Sequence, residues 1–515
     1  MEYPGGTAVN ILRFAYVATS LLALSVPAAH AQQQGGVIKI ATIGEPASLD
    51  PMMSATDLVG MISQHIFETL FTFDSKWNVT PLLAQSMPEV SSNGTIYTIK
   101  LRQDIKFHDG REMMANDVVA SLKRWLDVAS RGKQTAVYIK SVEKTANDTV
   151  TITLTQPYAP LLSLLAFNNS AAVIMPSDAL TMPLKEVIGT GPYKLKEHKA
   201  DQYIQLIRFD DYKPRSEKAD GFGGARIAKA DEILFAPLPD ANTRIEAAIS
   251  GQYDYVDSLP VESYQRLEQG KDKPVLLDHF GWPIFVMNNK DGPLKSAKIR
   301  KAIQLALNEE DMLAAGFGDP KFYAAEPAMY PKGYAWHTTT GTENYNLADP
   351  EKAKALLDEA GYDGTPIRIL TSRQYEFHYK MAQVAQMYLE QAGFTVDLQV
   401  SDWATMIQRN KRPELWDVFI THSPFLPEPA LNFILSKSSG GWWETPEKEA
   451  ALDAFNRATS QEERVKLWGE LQKLIFEQAP IIKIGDFSAL SASSPKLADF
   501  NPSPWPYFWN VQVQN

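Results

Sequence analysis

The histidines of this chain are the first residues whose type could support metal or proton-transfer chemistry. The chain has 8 of them. Apart from His30, which falls in the N-terminal segment discussed below, no two stand at H-x-x-x-H or at another short chelating spacing. The sequence therefore predicts no metal site. His108 and Asp109 are adjacent and could form an acid–base pair, but we favour an imidazole that is hydrogen-bonded within a turn.

Nucleophile and phosphate motifs are the next candidates for chemistry. Gly189-Thr190-Gly191 followed by Lys194 is faintly similar to a phosphate loop, but the G-x-x-x-x-G-K-[ST] spacing is not met. Pro192 also lacks the backbone amide that such a loop needs. A G-x-S-x-G nucleophile elbow is absent. The sequence therefore predicts a protein that is not an enzyme and holds no cofactor. A secreted hydrolase is the alternative from another functional class.

Local signals predict strands alternating with capped helices. Val37–Thr42 and Ile367–Thr371 are typical of buried strands. Asn116 is the predicted N-cap of one helix, and Asp349-Pro350 is predicted to begin another. Ser460-x-x-Glu463 is a capping box for a third helix. No repeat of fixed period is present, so we expect a mixed α/β fold and not a solenoid.

The N-terminus predicts export. Phe14–Val26 is an apolar run too short to span a bilayer comfortably, and Ala29-His30-Ala31 follows as an A-x-A cleavage pattern. We therefore expect a signal peptide over 1–31 and a mature chain from Gln32. A retained membrane anchor is the alternative. Cysteine is absent, which excludes a lipobox, a lipid anchor and disulfides.

The length and the net charge of the chain limit the number of domains and the class of protein. The chain has 515 residues, which is too long for one hydrophobic core and predicts two or three domains. Its formal net charge of −11 argues against nucleic-acid binding, which needs a basic surface.

Several blocks of the sequence together resemble one known family. The blocks are EPASLDP (45–51), IFETLFTFDSKWNVTPLLAQS (66–86), LRQDIKFHDGREMMANDVVASLKRW (101–125), GTGPYKL (189–195), LPDANTRIEAAISGQYDYVD (238–257), IRKAIQLALN (299–308), DPEKAKALLDEAGY (349–362) and LEQAGFTVDLQVSDWATM (389–406). In this order they resemble the family 5 extracellular solute-binding proteins, the peptide, nickel and opine receptors of bacterial ABC importers.

The resemblance implies a fold of the periplasmic binding protein type II kind, with two lobes, an extra inserted domain and a cleft that closes about a hinge. Chain crossings near Phe285–Asn289 and Ile484–Phe487 would form the hinge. The implied division is a discontinuous domain I at 32–76, 190–284 and 488–515, an inserted domain II at 77–189, and a domain III at 285–487.

The resemblance also implies a function. We expect a monomeric periplasmic receptor that binds a peptide or an amino-acid-derived compound between its lobes and passes it to an inner-membrane ABC permease. An opine, a sugar conjugate or a nickel chelate is the alternative cargo. A sensing role, in which the receptor reports its ligand to a membrane partner, is a third possibility.

Aromatic walls are expected in such a cleft. Trp282, Trp403 and Trp442 stand beside predicted loops and are candidate ligand contacts, with packing in the core as the alternative for each. Glu45 and Ser48, in the loop after the first strand, are the candidates from domain I.

The peptide-binding members typically hold the ligand's amine with an acidic residue in a G-D-x-x-D-P loop that follows a W-D-hydrophobic strand. Here the strand begins at Trp416-Asp417, but Pro424-Phe425 stand where Gly-Asp would be, and Glu428-Pro429 replace the later Asp-Pro. The usual amine anchor is therefore missing or displaced. Either Glu428 substitutes for it, or His422 and Phe425 face a different solute.

Arg373 is the candidate partner of a ligand carboxylate. It follows the predicted strand Ile367–Thr371 in a loop that would face a cleft, together with Tyr375. A guanidinium binds a carboxylate through two parallel hydrogen bonds. A solvent-facing or interdomain salt bridge is the alternative for Arg373.

Overall fold

The computed structural model describes residues 35–437 and 440–514. The predicted signal peptide, 1–31, and the predicted start at Gln32 lie outside the described residues. None of the described helices is both long and apolar enough to cross a membrane.

The strands are numbered in chain order. They are β1 (Val37–Thr42), β2 (Phe71–Phe73), β3 (Val79–Pro81), β4 (Glu89–Val90), β5 (Ile96–Lys100), β6 (Ile139–Ala146), β7 (Thr149–Leu154), β8 (Tyr193–Lys199), β9 (Tyr203–Arg208), β10 (Glu232–Pro237), β11 (Tyr255–Leu259), β12 (Lys273–Met287), β13 (Tyr323–Ala324), β14 (Ile367–Thr371), β15 (Val396–Val400), β16 (Val418–Pro424), β17 (Ile481–Lys483), β18 (Asp486–Ser493), β19 (Leu497–Ala498) and β20 (Gln512–Val513).

The α-helices are numbered in the same way. They are α1 (Asp57–Ser63), α2 (Ala115–Val128), α3 (Ser130–Ala136), α4 (Leu161–Ala166), α5 (Ala241–Ser250), α6 (Tyr264–Glu268), α7 (Ala297–Ala306), α8 (Glu309–Phe317), α9 (Pro350–Glu359), α10 (Glu376–Gln391), α11 (Trp403–Asn410), α12 (Pro446–Arg457) and α13 (Gln461–Gln478).

The largest sheet has 12 strands, ten of them in the order β15-β14-β16-β12-β18-β11-β1-β10-β9-β8. It contains two groups of parallel strands. In one group β1 pairs in parallel with β10 and β11, and in the other β14 pairs in parallel with β15 and β16. Helices cover the parallel strands, which is why residues such as Ile38 and Ile369 are fully buried.

Two antiparallel strands join the two parallel groups. β12 pairs with β16 on one side and with β18 on the other, and β18 continues to β11. The pairing of β12 with β18 shifts in register between Leu277 and Gly281, and His279 between them has φ of 47°. In the second predicted crossing, Gly485 has φ of 154°, which few other residues adopt. The hinge itself stays a prediction.

A second, antiparallel sheet has the strand order β4-β5-β7-β6 and falls within the interval predicted as domain II. Residues of this sheet, such as Ile99 and Ile152, belong to the same hydrophobic cluster as Ile38 and Phe235 of the large sheet. The core therefore continues from one sheet to the other. The domain boundaries stay predictions.

Candidate functional site

A cavity lies at the carboxyl ends of both groups of parallel strands. Its lining includes Ile43 after β1, Leu259 at the end of β11, Tyr375 after β14 and His422 near the end of β16. It contains about 1020 Å³ of space not occupied by protein atoms, including its opening to solvent. The carboxyl ends of parallel strands are where open α/β sheets usually bind ligands.

One part of the cavity lining carries acids, and we call Asp57, Tyr255 and Asp257 the acidic wall. The two aspartates are half-buried and Tyr255 is buried. Asp57 is the first residue of α1, and its Oδ1 accepts hydrogen bonds from the indole Nε1 of Trp505 at 2.7 Å and the amide Nδ2 of Asn169 at 3.4 Å. Its Oδ2 has no hydrogen-bond partner among the described residues. Burial dominates these bonds and raises the pKa of Asp57 to about 6.

Asp257 is the second carboxylate of the acidic wall. The hydroxyl of Ser258 donates to its Oδ2 at 3.0 Å. Burial raises the pKa of Asp257, although the Ser258 hydroxyl and the charge of Arg244 act in the opposite direction. The negative charge of Asp257 also contributes to the raised pKa of Asp57, so that each ionised carboxylate disfavours the other.

Arg244 on α5 also lines the cavity, but two nitrogens of its guanidinium donate hydrogen bonds to the backbone. It is 1% exposed and donates to the carbonyl oxygens of Leu238 at 2.7 Å, Pro239 at 2.9 Å and Ser258 at 3.0 Å. It therefore fixes the segment that carries Asp257. No carboxylate of the described residues lies within ion-pair distance of it.

Aromatic rings line another part of the cavity, which we call the aromatic wall. Its rings come from β12, α8, the start of α10, β16 and β18. The members are Phe280, Phe317, Tyr375, Phe377, His422 and Phe487.

The rings of the aromatic wall pack on one another. Phe317 stacks on Phe487 with centroids 5.3 Å apart, and Phe280 meets Phe487 edge-on at 5.4 Å. His422 meets Tyr375 edge-on at 4.7 Å and Phe377 at 5.4 Å. These contacts fix the orientation of the wall without a ligand.

His422 is paired with a second histidine. Its Nδ1 lies 3.0 Å from Nε2 of His378, which is fully buried and whose Nδ1 has no hydrogen-bond partner. Burial lowers the pKa of His422 to about 4 and the pKa of His378 well below its usual value. Both rings are therefore neutral near pH 7, and Nε2 of His422 is left for a ligand in the cavity.

The hydroxyl of Tyr375 is the group of the aromatic wall that faces the acids. It has no hydrogen-bond partner among the described residues. Burial first, and then the charges of Asp57 and Asp257, raise the pKa of Tyr375 above its usual value. The hydroxyl therefore stays protonated and can donate a hydrogen bond to a ligand.

The structure brings two of the ten predicted site residues, Tyr375 and His422, into the lining of this cavity. Trp403 lies behind them, with its ring 5.1 Å from that of Tyr375. The remaining candidates have other partners within the described part of the chain, and their role in binding stays a prediction.

The candidates from domain I and the predicted carboxylate partner are engaged locally. Glu45 accepts from Nε2 of His198 at 2.7 Å and from the amide of Asp201. Ser48 accepts from the amide of Asp50 at 3.0 Å. The exposed guanidinium of Arg373 stacks over the ring of Tyr379 at 4.2 Å.

The remaining tryptophans and the predicted amine anchor pack away from the cavity. Trp282 and Phe425 are 2% and 5% exposed in one hydrophobic cluster. Trp442 packs on Trp416 with centroids 5.7 Å apart. Glu428 is 4% exposed and forms an ion pair with Arg464 at 2.7 Å.

The imidazole of His108 is hydrogen-bonded to the Gly189–Gly191 segment. Nδ1 of His108 accepts from the amide of Gly189 at 3.3 Å, and its Nε2 donates to the carbonyl of Gly191 at 3.0 Å. His108 lies in a turn and its imidazole is hydrogen-bonded, as interpreted, but both partners belong to the distant Gly189–Gly191 segment and not to that turn. In the described ranges, no group of three or more His, Asp or Glu side chains is arranged to hold a metal ion.

Sequence reasoning missed both carboxylates of the acidic wall. Asp257 ends the block LPDANTRIEAAISGQYDYVD, which carried the family resemblance but no assigned role. Asp57 is the first residue of an apolar helix and looks like an ordinary first-turn acid. Their common position could not be read from the chain because α1 and β11 are far apart in sequence.

The sequence of the chain is similar to known proteins over most of its length. The model of the bacterial extracellular solute-binding proteins, family 5, middle part, matches residues 78–443. A probable peptide ABC transporter periplasmic-binding protein, y4tO of Sinorhizobium fredii, is 29% identical over 487 residues, which cover 90% of this chain and 91% of the relative.

Two solved structures are similar in fold. AgaA of A. tumefaciens R10, in complex with agropinic acid, has a TM-score of 0.81 and 24% identity, with 93% of this chain and 99% of AgaA covered. DppA of Helicobacter pylori, in complex with the peptide STSA, has a TM-score of 0.82 and 22% identity, with 94% of this chain and 99% of DppA covered. The predicted fold class is thereby confirmed.

Proposed function

The chain belongs to family 5 of the bacterial extracellular solute-binding proteins, and from this membership we propose that it binds one small polar organic solute in the cavity between the acidic and aromatic walls. The solute is a peptide or an amino-acid-derived compound. The protein delivers it, chemically unchanged, to an inner-membrane ABC permease. We further propose that the protein works in the periplasm.

The observation that carries this proposal is the cavity itself. The acidic wall comes from α1 and β11, whereas the aromatic wall comes mainly from α8, α10, β12 and β16. A solute that contacts both walls gains its binding energy only when the two are close together. Binding would therefore favour the closed arrangement over an open one.

The polar groups left without partners support a polar organic cargo. The acidic wall offers carboxylate oxygens, and the aromatic wall offers the Tyr375 hydroxyl and Nε2 of His422. A few such groups among apolar rings can orient a ligand that has both polar and apolar parts. A peptide-like compound fits this description, and y4tO, the relative described above, is named for peptide transport.

The experiment that tests the proposal combines binding with recovery of the ligand. The chain from Gln32 onward would be incubated with dipeptides, tripeptides and opines, and its thermal unfolding recorded. A bound solute at 100 times its dissociation constant stabilises the folded state by about 2.7 kcal/mol. The expected result is a raised melting temperature together with a solute of unchanged mass.

Ala489→Phe is the matched variant, because Ala489 lines the cavity and a ring placed there would occupy it. The melting temperature of this variant should no longer respond to the solute. If the solute is converted to a product, or if it stabilises the variant and the parent equally, the proposed function is wrong.

A further inference from the structure

We propose that the solute carries an organic cation, a protonated or quaternary amine, and that the carboxylates of Asp57 and Asp257 hold this charge opposite the aromatic wall. This inference rests on the proposed function and names the class of ligand. It places the amine anchor on α1 and β11, and not on the loop that follows β16.

The charges that line the cavity are unbalanced. Among the described residues, Asp57, Asp257, Glu262 and Glu376 are acidic, and Arg244 supplies the single guanidinium or ammonium group. Glu262 is paired with Lys380 at the surface. Nη1 and Nη2 of Arg244 donate to three backbone carbonyls, and its Nε has no hydrogen-bond partner. Asp57 and Asp257 are left without a neutralising ion pair.

Two recessed carboxylates without an ion-pair partner are costly, because burial disfavours their ionised forms and the charge of Asp257 adds to this cost at Asp57. The more distant charges of Arg131 and Arg244 offset only part of this cost. The raised pKa values of Asp57 and Asp257 express this cost. A cation placed between them would remove the repulsion and restore ionisation. The electrostatics of the site therefore favour the binding of a positive group. Oδ2 of Asp57 is free to accept a hydrogen bond from that group.

The aromatic wall is a second and independent observation that points to the same ligand. The faces of aromatic rings attract cations, and rings that surround a site are a common way to bind amines. The unpartnered Tyr375 hydroxyl is close enough to Asp57 and Asp257 for their charges to raise its pKa. The cationic group would therefore lie between carboxylates on one side and rings on the other.

The uncharged state of His422 and His378 adds to the preference of the site for a positive group. If His422 were protonated, it would place a competing positive charge on the aromatic wall. Burial and the contact with His378 keep both rings uncharged near pH 7. His422 can then contact a neutral or negative part of the same solute through Nε2.

The test compares pairs of ligands in which one member has lost the positive charge on nitrogen. Tripeptides, single amino acids, polyamines and choline would each be titrated against the full mature chain, beside N-acetylated forms or, for choline, its neutral carbon isostere. We expect at least one cationic member to bind and its neutral counterpart to bind at least about 30-fold more weakly, the lower limit for losing a buried charge pair.

Substitutions of the two aspartates test whether they hold the cation. Asp57→Asn and Asp257→Asn keep the side-chain shape and an oxygen acceptor, so each should reduce the preference for the cationic member at least about 30-fold. Asp127→Asn, which changes an exposed carboxylate on α2, is the matched control and should leave this preference unchanged. If an Asp variant fails to fold, the preference of the parent protein for charge still decides the inference.

The outcomes separate the two proposals. Equal binding of charged and neutral counterparts, or a preference unchanged in both Asp variants, would overturn the cation site and leave the receptor function intact. Absence of binding to every member of the panel would count against the proposed function and against this inference with it.

Discussion

Glu428 and Arg464 form a buried bidentate ion pair, with Nη1–Oε2 and Nη2–Oε1 distances of 2.8 and 2.7 Å. Glu428 precedes a 3₁₀ turn, Pro429–Leu431. Carbonyl oxygens of this turn accept hydrogen bonds from Arg131 and Gln134 on α3. The ion pair therefore holds a turn that contacts a distant helix.

Arg464→Met should destabilise the protein by about 3–5 kcal/mol, because it leaves the Glu428 carboxylate buried without its partner. Urea denaturation measures this loss. Arg412→Met is the control, since the Arg412–Glu414 pair has side chains 64% and 51% exposed, and an ion pair in solvent contributes little to stability. Similar losses in the two variants would contradict a structural role for the Glu428–Arg464 pair.

Asp57→Asn should raise the stability of the ligand-free protein at pH 7.5. The folded-state pKa of Asp57 is raised from 3.8 to about 6, so the unfolded chain loses this proton first as the pH increases. The free energy of unfolding therefore falls between about pH 4 and 6. Above that range, removing the charge should raise the free energy of unfolding by about 1–3 kcal/mol, allowing for partial solvent screening.

Urea denaturation at pH 4 and pH 7.5 checks this gain, which should be absent at the lower pH. Asp127→Asn should show no gain at either pH. A less stable Asp57→Asn protein at pH 7.5 would mean that the ionised carboxylate is stabilising, contrary to the cause assigned to its pKa.

Binding of a cationic ligand should strengthen as the pH rises through about 6. The ligand needs ionised Asp57, whose carboxyl faces the charges of Asp257 and Arg131 and the hydroxyl of Tyr375. Below its pKa, binding must release a proton, so affinity should fall by about tenfold per pH unit. Calorimetric titration at pH 5, 6 and 7.5 measures both affinity and proton release. Affinity that is constant over this range would exclude Asp57 as the anchor.

His422→Gln should make the protein less sensitive to acid. The folded-state pKa of His422 is lowered to about 4, so the unfolded chain binds a proton near pH 6.5 while the folded protein does not. This stability is present above pH 6.5 and is lost as the pH falls towards 4. From pH 7 to 5 the loss from this one histidine is about 2 kcal/mol.

Urea denaturation of both proteins at pH 7 and pH 5 measures the difference. The stability lost on acidification should be about 2 kcal/mol smaller in His422→Gln than in the parent. An identical loss would show that His422 is protonated in the folded state.

Local signals predicted the regular elements well because capping is a local interaction. Asp349 accepts from the amide of Lys352 and α9 begins at Pro350, as predicted. Ser460 likewise caps α13. The predicted cap Asn116 was wrong by two residues. Met114 precedes α2, and its amide is satisfied by Asp117, an acid that the sequence analysis did not consider.

The site was harder to predict because its parts meet only in the folded chain. Tyr375 and His422, which line the cavity, were candidates because each follows or ends a recognisable strand. Asp57 and Asp257 gave no local signal that distinguishes a cavity carboxylate from a surface one. Glu428 was a reasonable amine anchor by motif, but its partner Arg464 on α13 could not be inferred from spacing.

The most direct test is the crystal structure of the protein with the solute that it retains when purified from its native host. The account predicts one intact molecule in the cavity, with an amine nitrogen within hydrogen-bond distance of Asp57 or Asp257 and facing the aromatic wall. A bound solute whose positive group lies elsewhere, or a solute found outside this cavity while the cavity stays empty, would contradict it.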